Sequence, residues 1–201
     1  PADAIVGVAA ETDLVGGIRV GTSSLRRVAQ LRARYPAVRV ETIRGNIDTR
    51  LRKLDEGRFD AILLAAAGLK RLGFEERIGI HLSVTHFLPA VGQGALGIEI
   101  RAGDERVEQL LAPLHDRNTA SCVGAERALL AALGGGCQTP IGAHARLLPD
   151  GEIHLSGLVA SPDGKRLIRS ETRGKVPEEV GRRLAADLLD RGGRALLASI
   201  P

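Results

Sequence analysis

The chain has 201 residues, 44% of them hydrophobic and 26% charged, which is the balance of an ordinary soluble globular protein with room for one large domain or two small ones. No run of eighteen apolar residues exists to span a membrane, and PADAIVGVAA has no basic stretch ahead of its apolar part, so no signal peptide is expected. Two cysteines give no disulfide framework and fit a reducing cytoplasm, while twenty-four arginines among 28 basic residues, at net charge +4, suit an anionic partner.

In chain order, residues 4–9 (AIVGVA) and 18–21 (IRVG) read as short strands. Thr22-Ser23-Ser24 then offers cap hydroxyls, and Leu25, Val28 and Leu31 recur at helical spacing as far as Tyr35-Pro36. Val38–Ile43 alternates as a strand, Arg44-Gly45-Asn46 turns into a second helix, and Gly57 stops it. Phe59–Ala66 is the nearly continuous apolar run of a buried parallel strand, after which Gly68-Leu69-Lys70-Arg71 opens a third helix. This order predicts an open parallel sheet with helices on its faces. From 88 to 102 a proline and several glycines precede another strand, at about 95–100, and read as a hinge or crossover. Helices follow near 104–112 and 118–133. Three strands joined by the turns Pro149-Asp150-Gly151 and Ser161-Pro162-Asp163-Gly164 come next, and a closing helix carries Val180, Leu184 and Leu188. The expected division is an α/β lobe (1–87), the hinge and crossover (88–102) and a small α+β domain with an antiparallel three-stranded sheet (103–201).

Two features carry chemistry. Three times in the lobe a strand ends, a turn follows, and basic residues lie at or just inside the next helix: Arg26 and Arg27, then Arg44 and Arg50, then Lys70 and Arg71. The carboxyl ends of parallel strands share one rim, and helix N-termini there present free N–H groups, so the repetition describes a cleft for a ligand with several negative groups. Solvated arginines on amphipathic helices are the plainer reading of any single one. The second feature is Cys137, placed after three glycines in LGGGCQTPIG, where the backbone can approach another molecule closely; Cys122 lies inside a helical pattern and reads as structural. The five histidines show no metal-ligand spacing with either cysteine, and no phosphate-loop, dinucleotide-binding or nucleophile-elbow motif is present. Aromatics at 2% weaken a nucleic-acid reading, which would rest on the basic charge alone.

The stretches VGTSSLRR (20–27), IRGNIDTRL (43–51), AAAGLKRLG (65–73), LPAVGQGALGIEIR (88–101) and GGGCQTPIG (134–142), in this order, resemble the hydroxymethylbilane synthase (porphobilinogen deaminase) family over essentially the whole chain. The resemblance implies a periplasmic-binding-protein-like lobe followed by a third domain whose cysteine, here Cys137, holds a dipyrromethane cofactor through a thioether. It implies a cytoplasmic enzyme, monomeric when full length, acting on the small molecule porphobilinogen with no nucleic-acid or membrane partner. Such an enzyme joins four porphobilinogen units head to tail with loss of ammonia and releases the linear tetrapyrrole by hydrolysis. By motif, Thr22, Ser23, Ser24, Arg26, Arg27, Arg44 and Arg50 would bind the cofactor, and Arg26, Arg27, Arg50 and Arg71 the substrate. The family's H-S-x-K-D segment, whose aspartate assists at the pyrrole nitrogens, has no counterpart here, so no catalytic acid is assigned. A chain that starts with Pro1 and has no methionine is expected to be a piece of a longer product, incomplete as a catalyst alone. The rival reading is a non-catalytic small-anion-binding module of the periplasmic type, which would give Cys137 no task.

Overall fold

The structure, a computed structural model, describes residues 1–136 and 138–198. The lobe is built on five strands: β1 (Asp3–Val6), β2 (Arg19–Gly21), β3 (Arg39–Glu41), β4 (Ala61–Ala65) and β5 (Ile80–His81), ordered β3-β2-β4-β1-β5. β2 runs parallel to both β3 and β4, as the sequence predicts. β1 does not: it is antiparallel to β4 and to β5, with Asp3 opposite Ala65 and Val6 opposite Ile62. The sheet is therefore mixed rather than wholly parallel. A parallel neighbour needs a crossover of a dozen residues or more, usually with a helix. Only a single 3-10 turn, Glu11–Asp13, separates β1 from β2, and the two strands are not adjacent in the sheet.

Both sheet faces are covered, which explains the unbroken apolar run in β4. Ile5, Val20 and Leu63 share one core with Leu31 of helix α1 (Leu25–Arg34) and with Phe87. Ala4, Val6, Ile62 and Leu64 face the other core, closed by Leu51 of α2 (Ile47–Asp55) and Leu69 of α3 (Ala66–Arg71). The third helix thus starts two residues before the expected Gly68 and ends at Arg71.

The strand expected at 95–100 does not form; the segment is irregular, with Leu96 83% and Ile98 59% exposed. After it come α4 (Glu105–Leu111) and α5 (Arg117–Ala132), close to expectation, each capped by an aspartate, Asp104 or Asp116, that accepts a backbone N–H three residues on. β6 (Ile141–Leu147), β7 (Ile153–Ala160) and β8 (Leu167–Gly174) form the expected antiparallel meander, ordered β6-β7-β8. Helix α6 (Pro177–Leu188) packs with α5 on one face, joining Ile153, Leu155 and Val159 to Leu129, Leu184 and Leu188. A short helix, α7 (Arg194–Ala198), follows after Gly192, whose φ is +105°.

The opposite face of β7 meets the lobe, where Leu158 and Ala160 form one buried cluster with Ala29 of α1 and Leu88 of the hinge. Gln30 fastens that contact, its amide donating to Leu88 O (2.9 Å) while Leu88 N donates back to Oε1 (2.7 Å). On the other side of the hinge, buried Glu126 accepts from Gly92 N (2.6 Å) and from Ala145 N on β6 (2.8 Å). Burial raises the Glu126 pKa more than those two N–H groups lower it.

Candidate functional site

Because β2, β3 and β4 are parallel, the turns after them lie on one rim. Thr22 is buried in the first turn, its N–H bonded to Glu41 O (2.9 Å) and its hydroxyl accepting from Ser24 N (3.3 Å). Ser24 is the N-cap of α1 without a side-chain capping bond, and exposed Ser23 donates its hydroxyl to Ile43 O, tying the first turn to the second. In the second turn Gly45 adopts φ +122°, a conformation that suits only glycine, and Asn46 caps α2 by accepting Thr49 N–H (2.9 Å). Arg44 is exposed. Arg50 is half-buried, its Nε donating to Gly45 O (2.8 Å); its pKa is lowered first by burial and then by the positive charge of Arg27.

Arg71 departs from the pattern. It closes α3 instead of opening it, so the N–H groups and positive dipole end invoked for it lie almost two turns away. It is exposed, and its neighbour Lys70 is paired with Glu75 (2.6 Å).

The centre of the rim holds what the sequence reading did not anticipate. Arg26 and Arg27 are 4% and 9% exposed, and both are bound to Asp3, which is wholly buried. Arg26 Nη1 donates to Asp3 Oδ2 (2.7 Å) and to Leu88 O (2.6 Å). Arg27 donates from Nε (3.0 Å) and Nη2 (2.7 Å) to Asp3 Oδ1, and from Nη1 to Leu63 O (3.1 Å). Gln93 of the hinge completes the cluster, donating to Asp3 Oδ1 (3.0 Å) and accepting from Arg26 Nη2 (3.4 Å). Burial works against the Asp3 carboxylate, but the charges and hydrogen bonds of Arg26 and Arg27 together outweigh it and hold its pKa below the ordinary value. For Arg26 burial wins, and its pKa is lowered despite Asp3. Two guanidiniums against one carboxylate leave one positive charge in a nearly water-free setting, where an unpaired charge is costly.

The antiparallel β1 accounts for this assembly. Its first residue pairs with the last residue of β4, so Asp3 sits at the carboxyl rim; a parallel β1 would have carried it to the far end. The clue in the sequence was the absence of a helix between the first two strands.

Asp48 and Asp60, unlike Asp3, are both exposed. Asp60 lies before β4, at the opposite end of the sheet, where hydrogen bonds from the Arg19 side chain and backbone lower its pKa to about 2. Asp48 is exposed in the first turn of α2.

Cys137 lies outside the described residues. The chain on either side of it is pinned: Gly136 N donates to Thr139 Oγ1 (3.0 Å), which donates back to Gly136 O (2.6 Å), and Gly135 N bonds to Leu130 O (3.1 Å) at the end of α5. A Cβ on Gly135 would lie 2.3 Å from Ile141 Cδ1, so any side chain there would have to displace that of Ile141. Cys122 is half-buried on α5, and its thiol pKa is raised by burial first and by Glu126 second. A thiol held protonated is a poor nucleophile. It lines a cavity of about 330 Å³ with Glu126, His144, Pro1 and Gln93, the last of which also belongs to the Asp3 cluster. Among the described residues no group of three or more His, Cys, Asp or Glu is placed to hold a metal ion, and no helix is long and apolar enough to cross a membrane.

Known proteins share this chain's pattern at high identity. Residues 1–109 match the family described as "Porphobilinogen deaminase, dipyromethane cofactor binding domain", and residues 120–190 match "Porphobilinogen deaminase, C-terminal domain". A porphobilinogen deaminase of Thiobacillus denitrificans is 57% identical over 205 residues, covering 100% of this chain and 67% of the relative. Those of Syntrophobacter fumaroxidans and Chromobacterium violaceum are 54% and 53% identical, each covering 94% of this chain and 61% and 62% of the relative. The chain therefore spans a little under two thirds of the length of most of these relatives. Two consecutive domain matches and more than half of all residues identical leave one conclusion: the chain belongs to the porphobilinogen deaminase family.

Proposed function

We propose that this chain forms the cofactor-binding and C-terminal parts of a cytoplasmic hydroxymethylbilane synthase, which condenses four porphobilinogen units head to tail with loss of ammonia and is monomeric as a full-length protein. The observation that carries the proposal is the surplus positive charge of the Asp3–Arg26–Arg27 cluster, on the rim that also bears Arg50 and Arg44. Porphobilinogen and every chain built from it carry acetate and propionate groups. A rim of arginine forks and turn hydroxyls is complementary to them, since charge-assisted bonds from guanidinium to carboxylate combine strength with planar geometry.

The donor set fits a dipyrromethane group. Cys137 would hold it through a thioether, Ser23, Ser24 and Arg44 would meet its outer carboxylates, and Thr22 would keep the turn in shape from its buried position. When bound, the group supplies the pyrrole terminus on which the product is extended. Arg26, Arg27 and Arg50 hold the carboxylates of the incoming unit, and Arg71 contributes from the surface at the end of α3. The lobe (1–87) serves as a binding lobe of the periplasmic type, 88–102 as the hinge, and 103–201 as the domain that presents Cys137. No acid is assigned to this chain, because Asp3 is committed to two guanidiniums and Asp60 lies at the wrong end of the sheet.

Intact mass spectrometry tests the assignment. Incubation with porphobilinogen is expected to add a covalent dipyrrole increment to the protein and to Cys122→Ser, and none to Cys137→Ser. An increment that persists in Cys137→Ser, or maps to Cys122, would remove the basis of the proposal.

A further inference from the structure

We infer that Asp3 is a positioning residue of the carboxylate site: it fixes both guanidiniums of the arginine pair and trims their charge to the single unit that one ligand carboxylate neutralises. The inference deepens the proposed function and rests on it. Asp3 contributes an oxygen to each guanidinium, Oδ2 to Arg26 and Oδ1 to Arg27, and both of its arginines are further tied to backbone carbonyls, Leu88 O and Leu63 O. Consecutive arginines in the first turn of a helix would otherwise repel and swing apart. Bridged by one carboxylate, they present a fixed pair of planes.

The pair is not exhausted by that bridge. A guanidinium carries five N–H donors. Arg27 uses three of them on described residues, which leaves two, and it is the more exposed of the pair at 9%. Arg27 also acts electrostatically on Arg50, so its charge reaches the rim. The two shares differ: Arg26, 4% exposed, also anchors the cluster to the hinge through Leu88 O and Gln93, and Arg27 offers the ligand the freer edge. A surplus of one charge rather than two also suits a product that lengthens stepwise, because each carboxylate must be held and then released as the chain moves on.

Asp3→Asn keeps the shape and removes the charge, and it separates positioning from mere support. Porphobilinogen affinity, read by isothermal titration calorimetry at fixed ionic strength, is expected to fall about tenfold, the loss typical of one charge-assisted bond. Inorganic sulfate is expected to raise the Tm of Asp3→Asn clearly more than that of the unaltered protein, since the arginine pair then carries two uncompensated charges instead of one. An Asp3→Asn protein with unaltered affinity and an unaltered sulfate response overturns the inference, whether or not its Tm is lower. If the unaltered protein fails to bind porphobilinogen, the proposed function falls, while the sulfate comparison still decides the role of Asp3. Should Asp3→Asn fail to fold, Asp3→Asn/Arg26→Gln restores the buried charge to one unit. That double variant is expected to fold and to bind porphobilinogen more weakly than Arg26→Gln alone, and equal affinity of the two would overturn the inference.

Discussion

Asp3 and Glu126 are buried carboxylates with opposite responses to pH. Asp3 is held below its ordinary pKa of 3.8, so the stability it contributes is present above that value and is lost as pH falls through the lowered one. The pKa of Glu126 is raised above 4.5, so its contribution is present below that value and shrinks as pH rises through the raised one. Leaving a buried charge unpaired costs on the order of 3 kcal/mol. Urea denaturation should therefore find Asp3→Asn less stable by about that amount at pH 7. The gap to the unaltered protein should close as pH drops below 4; a gap constant with pH would mean that the carboxylate charge is not what stabilises. The rim arginines were legible in the sequence because strand, turn and basic helix start recur on a short range. Their partner was not, since nothing local to Asp3 announces that the arginines 23 and 24 residues further along the chain will meet it.

At the scale of elements, hydrophobic period and turn chemistry located most helices and strands within a few residues, α1, α2 and the β6-β7-β8 meander among them. Strand direction was less accessible: Ala4, Ile5 and Val6 are apolar whichever way β1 points, and only its connection to β2 constrains the choice. The strand expected at 95–100 failed for a different reason. Leu96, Ile98 and Ile100 alternate as a strand should, yet no neighbouring strand among the described residues accepts them, and period without a partner does not make a sheet. Close packing between α5 and α6 depends on Gly181, where an added Cβ would lie 2.5 Å from Ala125 O and 2.5 Å from Ala128 Cβ. Gly181→Ala should force the two helices apart and lower stability by about 1–3 kcal/mol, a typical overpacking cost. Thermal denaturation of the purified variant checks this; an unchanged or raised Tm would show that the helices can separate without penalty.

Across the whole molecule the two units are joined by the Ala29–Leu88–Leu158–Ala160 cluster and by hydrogen bonds on both sides of the hinge, Gln30 from the lobe and Glu126 from α5. Beside this seam the exposed Leu96 and Ile98 form an apolar stretch open to solvent. Sedimentation velocity over a range of concentrations should reveal self-association that Leu96→Ser/Ile98→Ser reduces, with Tm unchanged; association that persists in the double variant would place the contact elsewhere. The antiparallel β1 also bears on how the chain is made. During synthesis Asp3–Val6 emerges well before Ala61–Ala65, the strand it must join, and at roughly 5–20 residues per second that delay amounts to several seconds. β1 can take its place only once β4 is present. Asp3, the first of the site's residues to be made, cannot reach its position before residue 65 has emerged: the anion site matures later than its oldest residue by most of the lobe's length.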